Sequence, residues 1–352
     1  MVDKMKLVGI IASKNRFKIF IGIDVSKLKL DVSVLMMGVI CTSFQLENKT
    51  VGFKKLLRRI EKLPDYEIGA TLFCMESTSI YHLPLAEFLS DQKQPVWVEN
   101  PYQIKHSLGL VRGKNDKTDA RKIGEYAYRH SDKYRPFETA DIALKQLDAI
   151  HKERSKLLKI KHQLTLEVKE YEAMGMTELA AVKKELTAET VKSIEKAMKK
   201  CRQKMKEIIN ENSKLKRLYG LVTTVEGVDL LVGVYLLVAT GCFERFTNAR
   251  KFACQIGIAS FEHQSGSSLH KKTGTSHFAD KLGKKMITNA AGCAIRRYGG
   301  LRNYYERKVK EGKSEGSVLN ACKNKLLHRI FAVVKSGKPY DKFHEWQPKK
   351  VS

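Results

Sequence analysis

Four acidic residues stand where predicted strands end or a predicted helix begins. Asp24 follows the apolar residues of IGIDVSK, and Glu76 follows those of LFCMES. Asp116 and Asp119 lie in GKNDKTDAR at the start of a predicted helix, and their spacing puts them on one helical face. Several carboxylates that converge on divalent cations are what metal-dependent phosphodiester chemistry requires.

Each of these acids also has a purely structural interpretation. Asp24 suits a turn, and Asp116 or Asp119 suits the first turn of a helix, where acids are favoured. Glu76 differs, because an acid after four apolar residues of a central strand is costly to bury without a partner. For any one residue the two interpretations are balanced, whereas the four together, in this order, favour a metal site.

The elements predicted from hydrophobic periodicity would bring these acids together. The order is three strands from Phe17, a helix, a strand ending at Glu76, a helix, a short strand at Pro95–Val98, and further helices. Three antiparallel strands followed by β-α-β units predict a mixed sheet with helices on both faces, the order of an RNase H-like fold. In such a sheet the first and fourth strands are neighbours, and the last helix crosses near their ends.

The remainder of the chain is predicted to be helical. Two long helices broken near Met174–Met176 predict an antiparallel coiled coil, suited to an arm or a dimerisation element. From Tyr219 the pattern indicates a helix-hairpin-helix-like segment, then a polar loop at Gly257–Asp280, then helices near Lys284–Arg297, Leu301–Lys310 and Gly316–Val334. The predicted division is an N-terminal extension (1–16), an α/β domain (17–135), coiled-coil helices (136–216) and a helical domain (217–352).

The net charge points to a polyanionic partner. The 352 residues carry 65 Lys and Arg against 38 Asp and Glu, a formal charge of +27, and the excess is largest after residue 217. Seven cysteines without a C-x-x-C pair are typical of reduced thiols in the cytoplasm and argue against structural zinc. The apolar segments are too short for a membrane span or a signal-peptide core.

Three motifs carry a resemblance to a known family. GIDVSK, MEST with Tyr81 shortly after it, and NDKTDAR resemble motifs of the DEDD-type transposases of the one-ten insertion-sequence family, relatives of the pilin-gene invertases. The resemblance implies an N-terminal domain similar to the RuvC Holliday-junction resolvase. It also implies that Asp24, Glu76, Asp116 and Asp119 form a tetrad that binds Mg²⁺, for which Mn²⁺ can substitute.

The same resemblance implies a serine nucleophile in the second domain. The family has Gly-Leu-x-Pro followed by Ser-Gly, and GIASFEHQSGSS puts the matching serine at Ser265, with Ser260 in place of the family's proline. A serine hydroxyl needs a base or a metal to help remove its proton. From the residues alone the segment is a Ser/Gly linker, in which Ser267 and Ser268 compete with Ser265.

Basic residues near these motifs are the predicted nucleic-acid contacts. In the hairpin at Val225–Asp229, Glu226 and Asp229 replace the family's Pro and Gly and would repel phosphate, so a packing role is predicted there. For Arg296, Arg297 and Arg302, on the last predicted helices, a solvent-exposed helix face without a nucleic-acid partner is the alternative interpretation. The predicted contacts are Lys114, Lys117, Arg121, Lys271, Lys272, Lys281, Arg296, Arg297 and Arg302.

The sequence thus predicts a cytoplasmic DNA transposase or site-specific recombinase. The resemblance further implies a structured guide RNA encoded by the element, and a homo-oligomer that is dimeric, with a tetramer at the synapse. One alternative is a RuvC-like nuclease that hydrolyses DNA without serine chemistry. The other is a nucleic-acid scaffold with no catalytic activity.

Overall fold

The chain divides into two compact units, Met1–Thr139 and Ala140–Ser352. The computed structural model describes residues 16–77, 80–107, 116–139, 141–265, 269–275, 279–297 and 299–341. For residues 116, 117, 260–265 and 269–275 it describes the backbone alone. No helix in these parts of the chain is both long and apolar enough to cross a membrane.

Unit 1 contains a five-stranded mixed sheet in the order β3-β2-β1-β4-β5. Strands β1, β2 and β3 are antiparallel neighbours, whereas β4 and β5 run parallel to β1. The predicted order of strands and helices is confirmed. The strands are β1 (Ile19–Val25), β2 (Lys29–Met36), β3 (Val39–Glu47), β4 (Thr71–Glu76) and β5 (Val96–Glu99).

The fifth strand begins and ends one residue later than predicted. Pro95 accepts a hydrogen bond from Phe73 N but has no N–H to donate, so the regular strand starts at Val96. This shift matters because it brings Glu99 into the strand.

Helices cover both faces of the sheet. Helices α1 (Thr50–Ile60) and α2 (Leu83–Asp91) pack on the face that carries Ile21 and Ile23 of β1. Helices α3 (Pro101–Ser107) and α4 (Asp116–Arg129) pack on the opposite face, against Phe20. Short 3-10 turns lie at Ile68–Ala70, Ile80–His82 and Ser131–Lys133. Because both faces are covered, β1 is apolar along nearly its whole length rather than alternating.

Helix α4 approaches the centre of the sheet unusually closely. A Cβ placed on Gly22 would lie 2.2 Å from the Ala120 carbonyl oxygen and 2.3 Å from Gly124 N. A Cβ on Gly124 would meet the Leu35 side chain at 2.4 Å. The two glycines therefore allow the helix backbone to lie directly on β1.

Unit 2 begins with two long helices that pack side by side. Helix α5 (Ile142–Ala173) and helix α6 (Thr177–Glu211) are separated at the predicted break near Met174–Met176, where Gly175 has φ of +73°. Lys183 pairs with Glu167 at 2.6 Å, and Lys161 pairs with Glu195 farther along, so the helices are antiparallel.

The rest of unit 2 is mainly helical around an apolar core. Helix α8 is enclosed on almost every side, and Gly241 ends it in the left-handed conformation. Helix α10 starts earlier than predicted because the Asp280 carboxylate caps it by accepting from Leu282 N and Gly283 N. The helices are α7 (Ser213–Val222), α8 (Leu230–Thr240), α9 (Ala249–Gln255), α10 (Lys281–Arg296), α11 (Gly300–Lys310) and α12 (Glu315–Ser336).

The prediction that Gly257–Asp280 forms a polar loop was partly wrong. This segment contains an antiparallel hairpin of β6 (Ser260–Ser265) and β7 (Leu269–Thr275). Its strands lack the alternation of apolar residues by which a half-buried strand is recognised, so periodicity could not reveal them.

We expect the Gly22→Ala variant to lose about 1–3 kcal/mol of its free energy of unfolding, the range for an overpacked core. The added methyl group would displace the α4 backbone from β1. Chemical denaturation measures the effect. Gly69→Ala is the control, because a Cβ there meets nothing within 4 Å. Equal stability of the two variants would show that α4 tolerates displacement.

Candidate active site

Two of the predicted acids occupy neighbouring positions on adjacent parallel strands. The register of β1 and β4 runs to Ile23 opposite Met75, so Asp24 and Glu76 are the next residues along. Side chains alternate along a strand, which puts both acids on the face that carries Phe20 and helix α4. Both side chains are partly buried and both have interaction partners.

The first turn of α4 lies near these two acids. Gly22 is two residues before Asp24 in β1 and contacts the backbone of Ala120. Farther along α4, the Tyr128 ring lies 5.3 Å from that of Phe20, toward the beginning of β1. The helix therefore runs antiparallel to β1, and its first turn, with Asp116 and Asp119, lies toward the end of β1 where Asp24 stands.

The described side chains do not form a closed metal site. Asp119 accepts a hydrogen bond from Lys122 Nζ at 2.8 Å, and the Asp119 side chain is 28% exposed. The side chain of Asp116 lies outside the described residues. Among those that are described, no three acid, His or Cys side chains converge closely enough to hold an ion.

Two further acids that the sequence did not single out extend the same row. In the register, Asp31 of β2 pairs with Asp24, and Glu99 of β5 pairs with Glu76. Acids therefore occupy corresponding positions on four neighbouring strands, about 5 Å apart from strand to strand. Only the strand order reveals this row, because the four residues are far apart along the chain.

Asp31 is a buried acid held by a neutral partner. Its side chain is 6% exposed, and its two carboxylate oxygens accept from Gln45 Nε2 at 3.0 and 3.3 Å. Lys29, Asp31 and Ser33 alternate with apolar residues along β2, the pattern of a solvent-facing side, yet Asp31 and Ser33 are buried. Asp31 is therefore buried beside Asp24, and its burial cannot be recognised from the sequence alone.

Glu99 links the end of β5 to helix α4. Its Oε1 accepts from Asn100 N at 2.7 Å, and its Oε2 accepts from the Tyr126 hydroxyl at 3.2 Å. Burial, together with this carboxylate, raises the pKa of Tyr126, so the phenol stays protonated and donates. Burial and the same carboxylate also raise the pKa of the Cys74 thiol.

In unit 2 the predicted serine lies at the turn end of the β6–β7 hairpin. Ser265 pairs with Leu269 in the last register position, and Ser267 and Ser268 lie outside the described residues. Only the backbone of Ser265 is described.

The base of this hairpin is firmly attached to the helices. Asn320 Nδ2 of α12 donates to the Ile258 carbonyl at 3.0 Å, just before β6 begins. After β7, the Asp280 carboxylate that caps α10 also accepts from the Tyr235 hydroxyl at 2.7 Å. Burial and Asp280 raise the pKa of Tyr235, so this donor remains protonated.

The predicted nucleic-acid contacts differ in their surroundings. Arg121 pairs with Glu125 and Arg302 with Glu306, each at 2.8 Å on its own helix, whereas Lys281, Arg296 and Arg297 are exposed. Pairing within a helix leaves less of the charge for a phosphate. Lys114 lies outside the described residues, and Lys117, Lys271 and Lys272 are described only in their backbone.

The segment between α7 and α8 packs against the protein, in agreement with the predicted packing role. Gly227, with φ of +85°, lies so close to α10 that a Cβ would meet the Ala290 carbonyl at 2.1 Å. The Asp229 carboxylate caps α8 by accepting from Leu231 N and Val232 N. The N–H groups at this helix start are therefore occupied.

Comparisons with known proteins identify the family. Residues 21–174 match the family model of IS110-type DEDD transposases, and residues 219–306 match the model described as transposase of the IS116/IS110/IS902 family. The pilin gene-inverting proteins of Moraxella bovis and Moraxella lacunata are each 27% identical to this chain over 336 residues, 93% of this chain and 99% of each relative.

A solved structure, T. thermophilus RuvC in complex with a Holliday junction substrate, aligns with a TM-score of 0.27 and 11% identity. It covers 34% of this chain and 99% of that chain, and a likeness this weak carries no information on function. The two family models match successive parts of the chain and together span more than half of it. The chain belongs to the IS116/IS110/IS902 family of transposases.

Proposed function

We propose that this transposase cuts and rejoins the DNA of an insertion sequence through a Mg²⁺-dependent acid tetrad and a serine nucleophile. The observation that carries the proposal is the adjacency of Asp24 and Glu76 at the ends of two parallel strands, beneath the first turn of α4. Acids at that position suit phosphodiester chemistry better than a structural role, because like charges on neighbouring strands destabilise a sheet.

The sheet supports an RNase H-like assignment for unit 1. Three antiparallel strands are followed by two that run parallel to β1, and β1 lies between β2 and β4. This is the strand order expected of that fold, with the last helix crossing near the acids.

The donor set fits Mg²⁺. Carboxylate oxygens are its preferred protein ligands, and Asp24, Glu76, Asp116 and Asp119 are proposed to supply them. When bound, Mg²⁺ would supply positive charge beside the attacking and leaving oxygens of the phosphodiester. Asp119 has to release Lys122 before it can bind a cation, since the two are paired at 2.8 Å.

Ser265 is the proposed nucleophile. Its oxygen would attack the phosphorus and lose its proton to a base, while the bond to the leaving sugar oxygen breaks and that oxygen takes up a proton. The resulting phosphoserine ester conserves the bond energy for rejoining. Lys271, Lys272 and Lys281 are proposed to offset the phosphate charge. Attack on the ester by a sugar hydroxyl would restore the DNA and release the serine.

The proposed partners are DNA, a structured guide RNA from the element, and further copies of the chain. Action in the cytoplasm is part of the same proposal. The names of the Moraxella relatives describe inversion of a pilin gene, which is a site-specific recombination. We place this chain in the same reaction class, with its own target sites.

Substitution of Ser265 by Ala should abolish a covalent protein–DNA adduct. The protein, Mg²⁺, RNA transcribed from the element's flanks and labelled junction DNA are mixed and denatured, and protein-linked DNA is measured. Asp24→Ala should also abolish the adduct, whereas the controls Ser267→Ala and Ser268→Ala should retain it. Metal-dependent cutting without an adduct, unaffected by Ser265→Ala, would instead establish the alternative of a RuvC-like hydrolytic nuclease.

The Glu76→Gln variant should lose DNA cleavage by about 10²- to 10³-fold, because a metal ligand contributes several kcal/mol of charge stabilisation. The substitution keeps the size of the side chain and removes its charge. Glu67→Gln is the control, since that side chain is 62% exposed and pairs only with Lys18 at the surface. Undiminished activity of Glu76→Gln would support a nucleic-acid scaffold without catalysis.

The long helices carry exposed apolar side chains suited to self-association. Leu179, Val182 and Leu186 of α6 are 55%, 56% and 74% exposed, and their spacing places them on one stripe. Soluble proteins seldom leave such stripes uncovered. We propose that a second copy of the chain covers this stripe in a dimer.

The double variant Leu179→Lys/Leu186→Lys should therefore convert the dimer to a monomer, because charge would be buried in the apolar contact. Light scattering after size-exclusion chromatography measures the mass. Glu178→Lys/Glu185→Lys, which alters the charge one residue before each leucine, should leave the dimer intact. A dimer that persists in both variants would place the interface elsewhere.

A further inference from the structure

Helix α1 of unit 1 has an exposed side that consists of cations. The helix packs on the sheet through its apolar residues, and the positions between those residues are basic. Residues four apart lie one turn above each other, so these basic side chains form two neighbouring rows. The basic face of α1 comprises Lys54, Lys55, Arg58 and Arg59, all of them exposed.

The basic face lacks acid partners. Among the described residues, none forms an ion pair or a hydrogen bond with the side-chain nitrogens of these four cations. Arg59 lies over the Phe44 ring, with its guanidinium carbon 3.9 Å from the ring centroid. Glu61 follows Arg58 by three residues at the end of the helix but does not pair with it. The charge of the basic face is therefore available to an outside partner.

Other exposed helices of this chain pair their cations internally. Arg121 pairs with Glu125 on α4 at 2.8 Å, and Lys152 pairs with Asp148 on α5 at 2.6 Å. Opposite charges at this spacing stabilise a helix, and like charges destabilise it by a similar amount.

The pairs Lys54–Arg58 and Lys55–Arg59 are like charges four residues apart. The helix dipole favours the two arginines in the last turn, but the lysines lie one turn earlier. Repulsion between the rows is thus left without an internal compensation, and a bound polyanion would offset it.

The basic face lies on the opposite side of the sheet from the candidate active site. Helix α1 packs on the side that carries Ile21 and Ile23. Side chains alternate along a strand, so Asp24 points to the other side, where α4 packs. The sheet therefore separates the two surfaces, and phosphates held at the acids cannot also contact the basic face.

The composition of the basic face fits the backbone of a duplex. Surfaces that bind single strands combine cations with exposed aromatic side chains on which the bases stack. The aromatic residue of α1, Phe53, is buried, and the Phe44 ring is covered by Arg59. From Lys54 to Arg59 the helix rises about 7.5 Å, a length over which a DNA duplex carries about four phosphate charges.

We propose that the basic face of α1 binds the backbone of a DNA duplex, in a segment other than the one at the acids. The proposal rests on the proposed function, which supplies DNA as the partner. Recombination joins two DNA sites, so the protein has to hold more DNA than the segment that is cut. Backbone contacts carry no sequence information, so this surface adds affinity for any duplex.

The test compares the whole chain with the triple variant Lys54→Gln/Lys55→Gln/Arg58→Gln. Arg59 is kept because it covers Phe44. Binding to a DNA duplex of arbitrary sequence is measured by fluorescence anisotropy over a range of salt concentrations. Loss of three phosphate contacts should reduce the slope of log affinity against log salt by about 3.

The matched control is Lys192→Gln/Lys196→Gln/Lys200→Gln, which removes three exposed cations at four-residue spacing from α6. There Glu189 and Glu195 lie among the lysines, so the control should leave the slope nearly unchanged. An unchanged slope in the α1 variant, or an equal fall in both variants, would overturn the proposal. A fall with duplex RNA but not with DNA would overturn the assignment to DNA.

Chemical acetylation of the unmodified protein gives a second measure that does not depend on a variant. Saturating duplex DNA should lower the labelling of Lys54 and Lys55 several-fold, as read by mass spectrometry, and should leave that of Lys192 and Lys196 unchanged. Equal labelling of Lys54 and Lys55 with and without DNA would contradict the proposal. Neither measurement requires catalysis, so a missing serine adduct would refute the proposed function without altering this result.

Discussion

The close contact between helix α4 and strand β1 is the constraint on which the candidate active site depends. A methyl group at Gly22 would overlap the Ala120 carbonyl, and one at Gly124 would overlap Leu35. Because neither residue has a side chain, the first turn of α4 lies beside the acids at the ends of β1 and β4. A helix held farther away would carry Asp116 and Asp119 away from Asp24 and Glu76.

The acids in this row are unfavourable for folding when they stand alone. Like charges directly opposite each other on neighbouring strands destabilise a sheet. Local donors offset part of this cost: Gln45 donates to Asp31, while Asn100 N and the Tyr126 hydroxyl donate to Glu99. Lys122 does the same for Asp119. Folding energetics alone disfavour such a row, and the Mg²⁺ proposed for the site would offset the repulsion that these donors leave.

Unit 2 places a polar hairpin on a rigid base. Asp280 and Asn320 attach the two ends of the hairpin to the helical core, and each makes hydrogen bonds of ordinary length. A reactive group needs a supporting structure that limits its positions. The Asp280 carboxylate accepts from three donors, so its charge has a structural role at the base of the hairpin.

The sequence by itself determined the order of the elements in unit 1 and the positions of Asp24 and Glu76 at strand ends. It did so because the spacing of apolar residues reflects which side of each strand or helix is buried, and that spacing is local in the sequence. The break between the two long helices is local as well, since it depends on Gly175. Tertiary structure alone decided that Asp31 and Glu99 join the acid row, since register across strands is a long-range property. It also decided the β6–β7 hairpin, whose polar strands are held by backbone hydrogen bonds.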